Sequence, residues 1–312
     1  MRRYGRHRLS APTWRDLREQ AERRLRDVGV EKPDVEARWV MERASGYEGV
    51  ELVMAEHEPA SPLGARHLGD MLERRAAGEP LQYVLGIWQF LGFDLFVDSR
   101  VLVPRPETEV VAQTAIEEAV RLGLRRGRPN AWAGATATYS VADLGTGSGA
   151  LALALVSELP DAEVWATDIS DDALAVARAN FAGAGSLAAR VRSVQGSWFD
   201  ALPHHLKGEL RLVVSNPPYV AAAEVEDLPR EIADWEPRLA LVSGPTGVEA
   251  IEQIVDDARE WLERESGVLV CELAPHQAEA MAAHASAAGY TEVSIRKDHT
   301  DRDRVLVARL VG

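Results

Sequence analysis

Asp143-Leu144-Gly145-Thr146-Gly147-Ser148-Gly149-Ala150 stands between an apolar strand pattern over 140–144 and a helical pattern over 150–158. Glycines at such a junction permit a tight turn and let a ligand lie against bare backbone beside a helix start. The next strand, over 163–167, runs into Asp168, where a carboxylate can bind both hydroxyls of a ribose; alone, Asp168 also reads as a helix cap before Asp171. Alternation continues with a helix over 171–181, strands over 191–194 and 212–215, a helix over 248–264, a strand over 267–273, a helix over 277–287, and strands over 291–295 and 304–310. This order predicts an α/β fold with a mostly parallel sheet covered by helices on both faces. The last two strands are too close for a parallel crossover, so they are expected to pair antiparallel. Gly145-x-Gly147-x-x-Ala150 also fits the relaxed dinucleotide fingerprint, which leaves a nicotinamide cofactor open on this stretch alone.

Farther along, Ser215-Asn216-Pro217-Pro218-Tyr219 follows the apolar run Leu212-Val213-Val214. Two prolines cannot continue a ladder, because neither has an N–H and both fix φ. The chain must stop pairing there, leaving the Asn216 side chain and backbone carbonyls at the carboxyl edge of the sheet, where open α/β sheets bind ligands. Asn216 and the Pro217 carbonyl can accept hydrogen bonds from an NH2 group, and Tyr219 offers a flat face to the planar group carrying it. The plainer alternative is a Pro-Pro turn with a capping Asn. Trp198, in Gln195-Gly196-Ser197-Trp198-Phe199 after the third strand, can serve as core or as an aromatic contact to a flat base.

The chain has 312 residues, 46% hydrophobic and 27% charged, which suits two ordinary globular domains. A net charge of −14 weighs against tracking a phosphate backbone. The lone cysteine, Cys271, has no partner for an internal disulfide, and the eight histidines show no metal-ligand spacing, so no metal is expected. No apolar core follows Arg2, Arg3, Arg6 and Arg8, and no run approaches the roughly 20 residues of a membrane span. The expectation is a cytoplasmic protein with no membrane association.

Residues 1–80 read as a small helical bundle. One helix opens at Pro12-Thr13 and closes at Gly29, a second runs from Pro33-Asp34 to Gly46, and a third covers 61–77, with Trp14 and Trp39 expected in the core. Residues 81–103 read as a linker containing a β-hairpin about Leu91-Gly92. Pro104-Arg105-Pro106-Glu107-Thr108-Glu109 then opens a helix to about Leu122, with Glu107 and Glu109 either helix-start acids or functional groups. The Arg-, Gly- and Ala-rich stretch 125–137 reads as a loop.

Asn216-Pro217-Pro218-Tyr219 resembles the signature of methyltransferases acting on amide or exocyclic amino nitrogens. Gly149 in Gly-x-Gly-x-Gly spacing, the antiparallel strand pair and this motif together resemble a class I S-adenosylmethionine methyltransferase, against the nicotinamide reading. With the hairpin, the 103–109 stretch, Trp235-Glu236-Pro237-Arg238-Leu239-Ala240-Leu241 and Asp301-Arg302-Asp303-Arg304-Val305 in order, the chain resembles the HemK family of protein glutamine methyltransferases over nearly its whole length. The resemblance implies a class I Rossmann-like domain over 104–312, a five-helix-type substrate-docking domain before it, and methyl transfer to the glutamine of the Gly-Gly-Gln loop of peptide-chain release factors. A sister branch modifies ribosomal protein L3, and a nucleic-acid amino-methyltransferase is a further alternative. By this resemblance the cofactor is S-adenosylmethionine, held by Asp143, Gly145, Thr146, Gly147, Ser148, Gly149, Asp168, Trp198 and Asn216. Asn216, Pro217, Pro218 and Tyr219 hold the substrate amide, with Asn216, Pro217 and Tyr219 catalytic. A monomer that binds release factors, without direct nucleic-acid contact, is expected.

Overall fold

Thr13 starts the first helix by a reciprocal cap: its side chain accepts from the Asp16 N–H, and the Asp16 carboxylate accepts from the Thr13 N–H. The computed structural model describes residues 11–124 and 139–311, so the loop expected over 125–137 lies outside the described residues. The chain divides into two compact units, after Gly86.

The first unit holds five helices among its described residues: α1 (Trp14–Asp27), α2 (Pro33–Ser45), α3 (Val50–Met54), α4 (Pro62–Ala76) and α5 (Leu81–Leu85). Helices α1, α2 and α4 pack against one another around Trp14, Leu25, Met41, Leu68 and Met71. Arg75 of α4 reaches the Glu36 carboxylate of α2 at 2.6 Å inside this unit. Trp39 departs from expectation, being 38% exposed. The buried residues of α2, Ala37, Val40 and Met41, recur at helical spacing, and at 100° per residue Trp39 falls on the opposite side. Helix α5 belongs to this unit, although its residues read as linker in the sequence. The helix α3 was also not anticipated; five residues are too few to show a period.

The second unit begins with the expected hairpin, β1 (Ile87–Phe90) paired antiparallel with β2 (Phe93–Phe96). It continues through α6 (Pro106–Arg121), β3 (Tyr139–Leu144), α7 (Ala150–Glu158), β4 (Ala162–Asp168), α8 (Asp171–Gly183), β5 (Val191–Gln195) and β6 (Leu210–Ser215). After β7 (Val220–Ala221), α9 (Arg230–Ala233), α10 (Arg238–Leu241) and β8 (Val242–Gly244) come α11 (Glu249–Trp261), β9 (Val268–Glu272), α12 (Ala278–Ala288), β10 (Glu292–Lys297) and β11 (Asp303–Arg309). The seven-stranded sheet has the order β10-β11-β9-β6-β3-β4-β5, and β11 runs antiparallel to both its neighbours. The pairing of β7 with β8 is too short to announce itself in sequence.

Alternate strand residues divide between the two faces. Ala142, Val213, Leu269 and Cys271 join Ile251, Ile254 and Val255 of α11 and Met281 of α12 in one core. Helices α6 and α7 pack together over the other face. From β3 the chain crosses to β4 and β5 on one side and then returns to β6 on the other. The loops after β3 and β6 therefore diverge from adjacent strands, which makes this carboxyl edge the switch point where α/β sheets hold ligands.

Candidate active site

Strand register brings the loop-bearing ends into line: Leu144 pairs with Thr167 on one side and Ser215 on the other, and Ser215 pairs with Cys271. The Ser215 hydroxyl donates to the Leu144 carbonyl at 2.7 Å, tying the starts of the two expected site loops together. Above this edge lies a cavity of about 540 Å³, within the size range of nucleoside-sized ligands.

The loop after β3 turns on two glycines with positive φ whose missing side chains leave room for specific neighbours. Gly145 has φ +69, and a Cβ there would meet a Trp198 ring carbon at 3.1 Å; Gly149 has φ +85, and a Cβ would lie 2.6 Å from the Phe181 ring. Gly145, Thr146, Gly147 and Ser148 line the cavity. Asp143 and Gly149, expected to contact the cofactor, do not line it. Asp143 lies beneath the loop instead, where its Oδ2 accepts from the Thr146 hydroxyl at 2.6 Å and from the Ala152 N–H at 3.0 Å. It thereby joins the loop to α7. Complete burial pushes its carboxyl up to about 7, against the pull of those donors.

Asp168 does line the cavity. Its oxygens accept from the N–H groups of Gly147 and Ser170, both at 2.9 Å, so the carboxylate locks the glycine loop to the end of β4. Burial raises its pKa, while the backbone donors oppose that rise. Helix α8 is capped by the Ser170 side chain, so the capping alternative for Asp168 does not describe this helix. Trp198 serves both readings: it packs partly against the core and also lines the cavity. Asn180, which the sequence did not single out, donates from Nδ2 to the Ser148 carbonyl at 2.8 Å and accepts the Phe96 N–H at 2.7 Å. It links the hairpin to the glycine loop.

On the β6 side, Asn216 and Pro218 line the cavity, whereas Pro217 and Tyr219 do not. Tyr219 packs against the core and directs its hydroxyl to Glu272 at 3.4 Å; burial, with the charge of Glu272 next, raises its pKa. The Asn216 Nδ2 donates to Thr108 Oγ1 at 3.0 Å, and the Thr108 hydroxyl donates to Glu272 Oε2 at 2.9 Å. The Asn216 Oδ1 is buried with no hydrogen-bond partner. A buried orphan acceptor costs free energy, and on a residue lining a cavity it marks where an incoming donor fits. Glu107 and Glu109, the acids on either side of Thr108, turn elsewhere: Glu107 pairs with Arg302 at 2.8 Å, and Glu109 accepts from the Leu91 N–H at 3.3 Å. Arg105 pairs with Glu236, placing the expected Trp235–Leu241 stretch near the cavity wall formed by Pro104 and Pro237.

The donors and acceptors fit S-adenosylmethionine on structural grounds: a glycine cradle, a partly buried carboxylate at the end of β4, an aromatic ring after β5 and an unmatched amide oxygen after β6. Residues 16–86 match the PrmC N-terminal domain, and residues 132–233 match the methyltransferase small domain. The release factor glutamine methyltransferase of Deinococcus radiodurans is 38% identical over 96% of this chain and 99% of its own length. That of Salmonella typhimurium is 36% identical over 93% and 96%. Among solved structures, the human Mettl16 catalytic domain in complex with an RNA hairpin aligns with a TM-score of 0.54 at 14% identity, over 78% of this chain and 83% of that one. At that identity the likeness concerns the fold alone.

Proposed function

This chain belongs to the release factor glutamine methyltransferases, and from that premise we propose that it transfers a methyl group from S-adenosylmethionine to the side-chain nitrogen of the glutamine in the Gly-Gly-Gln loop of release factors, with Asn216 as principal acceptor. The observation that carries the reading is the buried, unpartnered Asn216 Oδ1 at the cavity. A primary amide has two N–H groups to offer, and one of them can satisfy that oxygen.

An amide nitrogen is a weak nucleophile because its lone pair is delocalised into the carbonyl. The bound cofactor supplies an electrophilic sulfonium methyl. As the N–C bond forms and the methyl–sulfur bond breaks, the substrate N–H groups become more positive, so an acceptor already aimed at them stabilises the transition state more than the ground state. Asn216 Oδ1 takes one N–H; Pro217, which lies outside the cavity lining, fixes the backbone beside Asn216. The extra proton leaves to water, so no general base is assigned. Gly145, Thr146, Gly147 and Ser148 cradle the cofactor, Asp168 takes the ribose hydroxyls and Trp198 borders the base. Asp143 acts one layer below by holding Thr146, and Tyr219 by its contact with Glu272 rather than by stacking on the amide.

The helical unit is proposed to dock the protein substrate. In support, α3 exposes Val50, Val53 and Met54, a run of apolar surface that a soluble unit ordinarily reserves for a partner. Among the described residues no helix is long and apolar enough to cross a membrane.

The test is incubation of the purified protein with isotopically labelled S-adenosylmethionine and an intact release factor, followed by peptide mapping. One labelled methyl on the Gly-Gly-Gln glutamine supports the reading. Label on ribosomal protein L3 but not on the release factor would favour the sister activity, and no label on either would contradict both.

A further inference from the structure

We infer that Thr108 and Glu272 are positioning residues that set the direction of the Asn216 carboxamide, an assignment that rests on Asn216 being the acceptor for the substrate amide. A carboxamide has two arms of nearly equal shape, one a donor and one an acceptor. Only one of its two orientations aims oxygen at an incoming N–H. Something in the protein has to distinguish them.

Thr108 can do so because its hydroxyl has a single hydrogen. That hydrogen goes to Glu272 Oε2 at 2.9 Å, and as a carboxylate Glu272 can only accept. Thr108 Oγ1 is then left with lone pairs alone for its other neighbour, Asn216 at 3.0 Å. The neighbour must present its NH2, which places Oδ1 on the other arm, unpartnered, in a residue lining the cavity. Reversing Asn216 would set two oxygens against each other at Thr108 and leave the NH2 unmatched at the cavity.

The elements around this relay favour a fixed geometry. Thr108 lies in the first turn of α6, Glu272 ends β9 and Asn216 follows β6, so each comes from a separate regular element. Thr108 is 4% exposed and Glu272 is 1% exposed. A buried carboxylate at the carboxyl edge of a sheet is costly unless its partners compensate. Here they are the Thr108 hydroxyl, the Tyr219 hydroxyl at 3.4 Å and the nearby Arg304 guanidinium. Tyr219, which belongs to the same motif as Asn216 but stays out of the cavity, thus contributes through Glu272.

The experiment compares Thr108→Val, Thr108→Ser and Glu272→Gln in the full-length protein. For each, kcat and KM on an intact release factor, S-adenosylhomocysteine affinity by calorimetry and Tm are measured. Thr108→Val keeps the shape and deletes the relay, so kcat should fall about tenfold or more, while KM and cofactor affinity stay within about twofold of wild type. Thr108→Ser should restore kcat to within about threefold of wild type, because the hydroxyl returns. Glu272→Gln, able to donate or accept, should lower kcat to a value between the two. The decisive comparison is made in an Asn216→Ala background, where Thr108→Val should cost less than about twofold, since a residue acting through Asn216 has nothing left to orient. A wild-type kcat in Thr108→Val, or the same fractional loss with and without Asn216, would overturn the assignment. Should Thr108→Val not fold at the assay temperature, a wild-type kcat in Glu272→Gln overturns it equally. A wild-type enzyme that binds S-adenosylhomocysteine but leaves the release factor unmodified would instead defeat the reading of the site on which the relay depends.

Discussion

Asn216 Nδ2 stands 3.0 Å from Thr108 Oγ1, across 108 positions of sequence. The contact joins the loop after β6 to the first turn of α6, and it involves the proposed acceptor Asn216 rather than the glycine loop. Thr108 sits between two acids that are both engaged with other segments, Glu107 with Arg302 and Glu109 with the Leu91 N–H. The side of the helix start that faces the cavity is therefore a neutral hydroxyl.

Asp168→Ala should weaken S-adenosylhomocysteine binding about tenfold to a hundredfold, because hydrogen bonds to a charged group contribute about 1.5–3 kcal/mol. The side chain also accepts from Gly147, so part of the loss would come from a looser glycine loop. Calorimetry at constant ionic strength measures it. Unchanged affinity would remove Asp168 from the cofactor site.

Two glycines of the loop after β3 should respond differently to a methyl group. Gly149→Ala combines φ +85 with a Cβ 2.6 Å from the Phe181 ring, whereas Gly147→Ala has φ +54 but open space. Left-handed backbone alone costs about 1–2 kcal/mol, and overpacking adds about 1–3 kcal/mol. Thermal unfolding should show a larger Tm loss for Gly149→Ala than for Gly147→Ala. Equal losses would mean that Phe181 yields freely.

Glu272 sets an expected pH dependence. Burial pushes its carboxyl from 4.5 up to about 7, with Thr108, Arg304 and Tyr219 opposing the rise and Glu107 adding to it. The unfolded chain loses this proton near 4.5 and the folded protein near 7, so the stability linked to it is fully present below about 4.5 and lost as pH rises through about 7. Activity should move the opposite way, since the carboxylate is the form that must take the Thr108 hydrogen: kcat should climb through about pH 7. Glu272→Gln should flatten that climb and reduce the fall in Tm, leaving the part due to Asp143, which titrates in the same region. A wild-type kcat constant between about pH 6 and about pH 8 would contradict this role.

On the helical unit, Met54 is 78% exposed and Val53 is 61% exposed on α3. If this face docks the release factor, Val53→Glu and Met54→Glu should raise KM for the intact factor several-fold, with kcat at saturation and cofactor affinity unchanged. Substitutions at exposed positions should leave Tm nearly untouched. An unaltered KM would place docking elsewhere.

Much of this was legible in the sequence because it is periodic or local. The alternation of strand and helix, the glycine loop, the carboxylate ending β4 and the Pro-Pro stop after β6 each depend on neighbours within a few residues. What stayed hidden depends on distance. Thr108 reads as one polar residue among helix-start acids, and its partner Glu272 lies 164 positions away, at the end of a strand whose pattern is otherwise apolar. Asn180 likewise looks like an ordinary helical Asn until the hairpin and the glycine loop meet on it. The motif puts Tyr219 on the substrate, whereas its ring packs against the core and its hydroxyl meets Glu272. Asp143 was grouped with the loop it precedes, while strand alternation and the helix above hold it underneath.

The central claim is that Asn216 Oδ1 accepts from the glutamine amide during transfer. It is tested most directly by single-turnover methylation of an intact release factor by wild type, Asn216→Ala and Asn216→Asp, each saturated with S-adenosylmethionine, with S-adenosylhomocysteine affinity measured in parallel. The account predicts that Asn216→Ala keeps nearly full cofactor affinity and transfers methyl about a hundredfold more slowly or worse. Asn216→Asp, which still accepts but adds a charge near the sulfonium, should fall between Asn216→Ala and wild type. Transfer by Asn216→Ala at the wild-type rate, with label on the same glutamine, would contradict it.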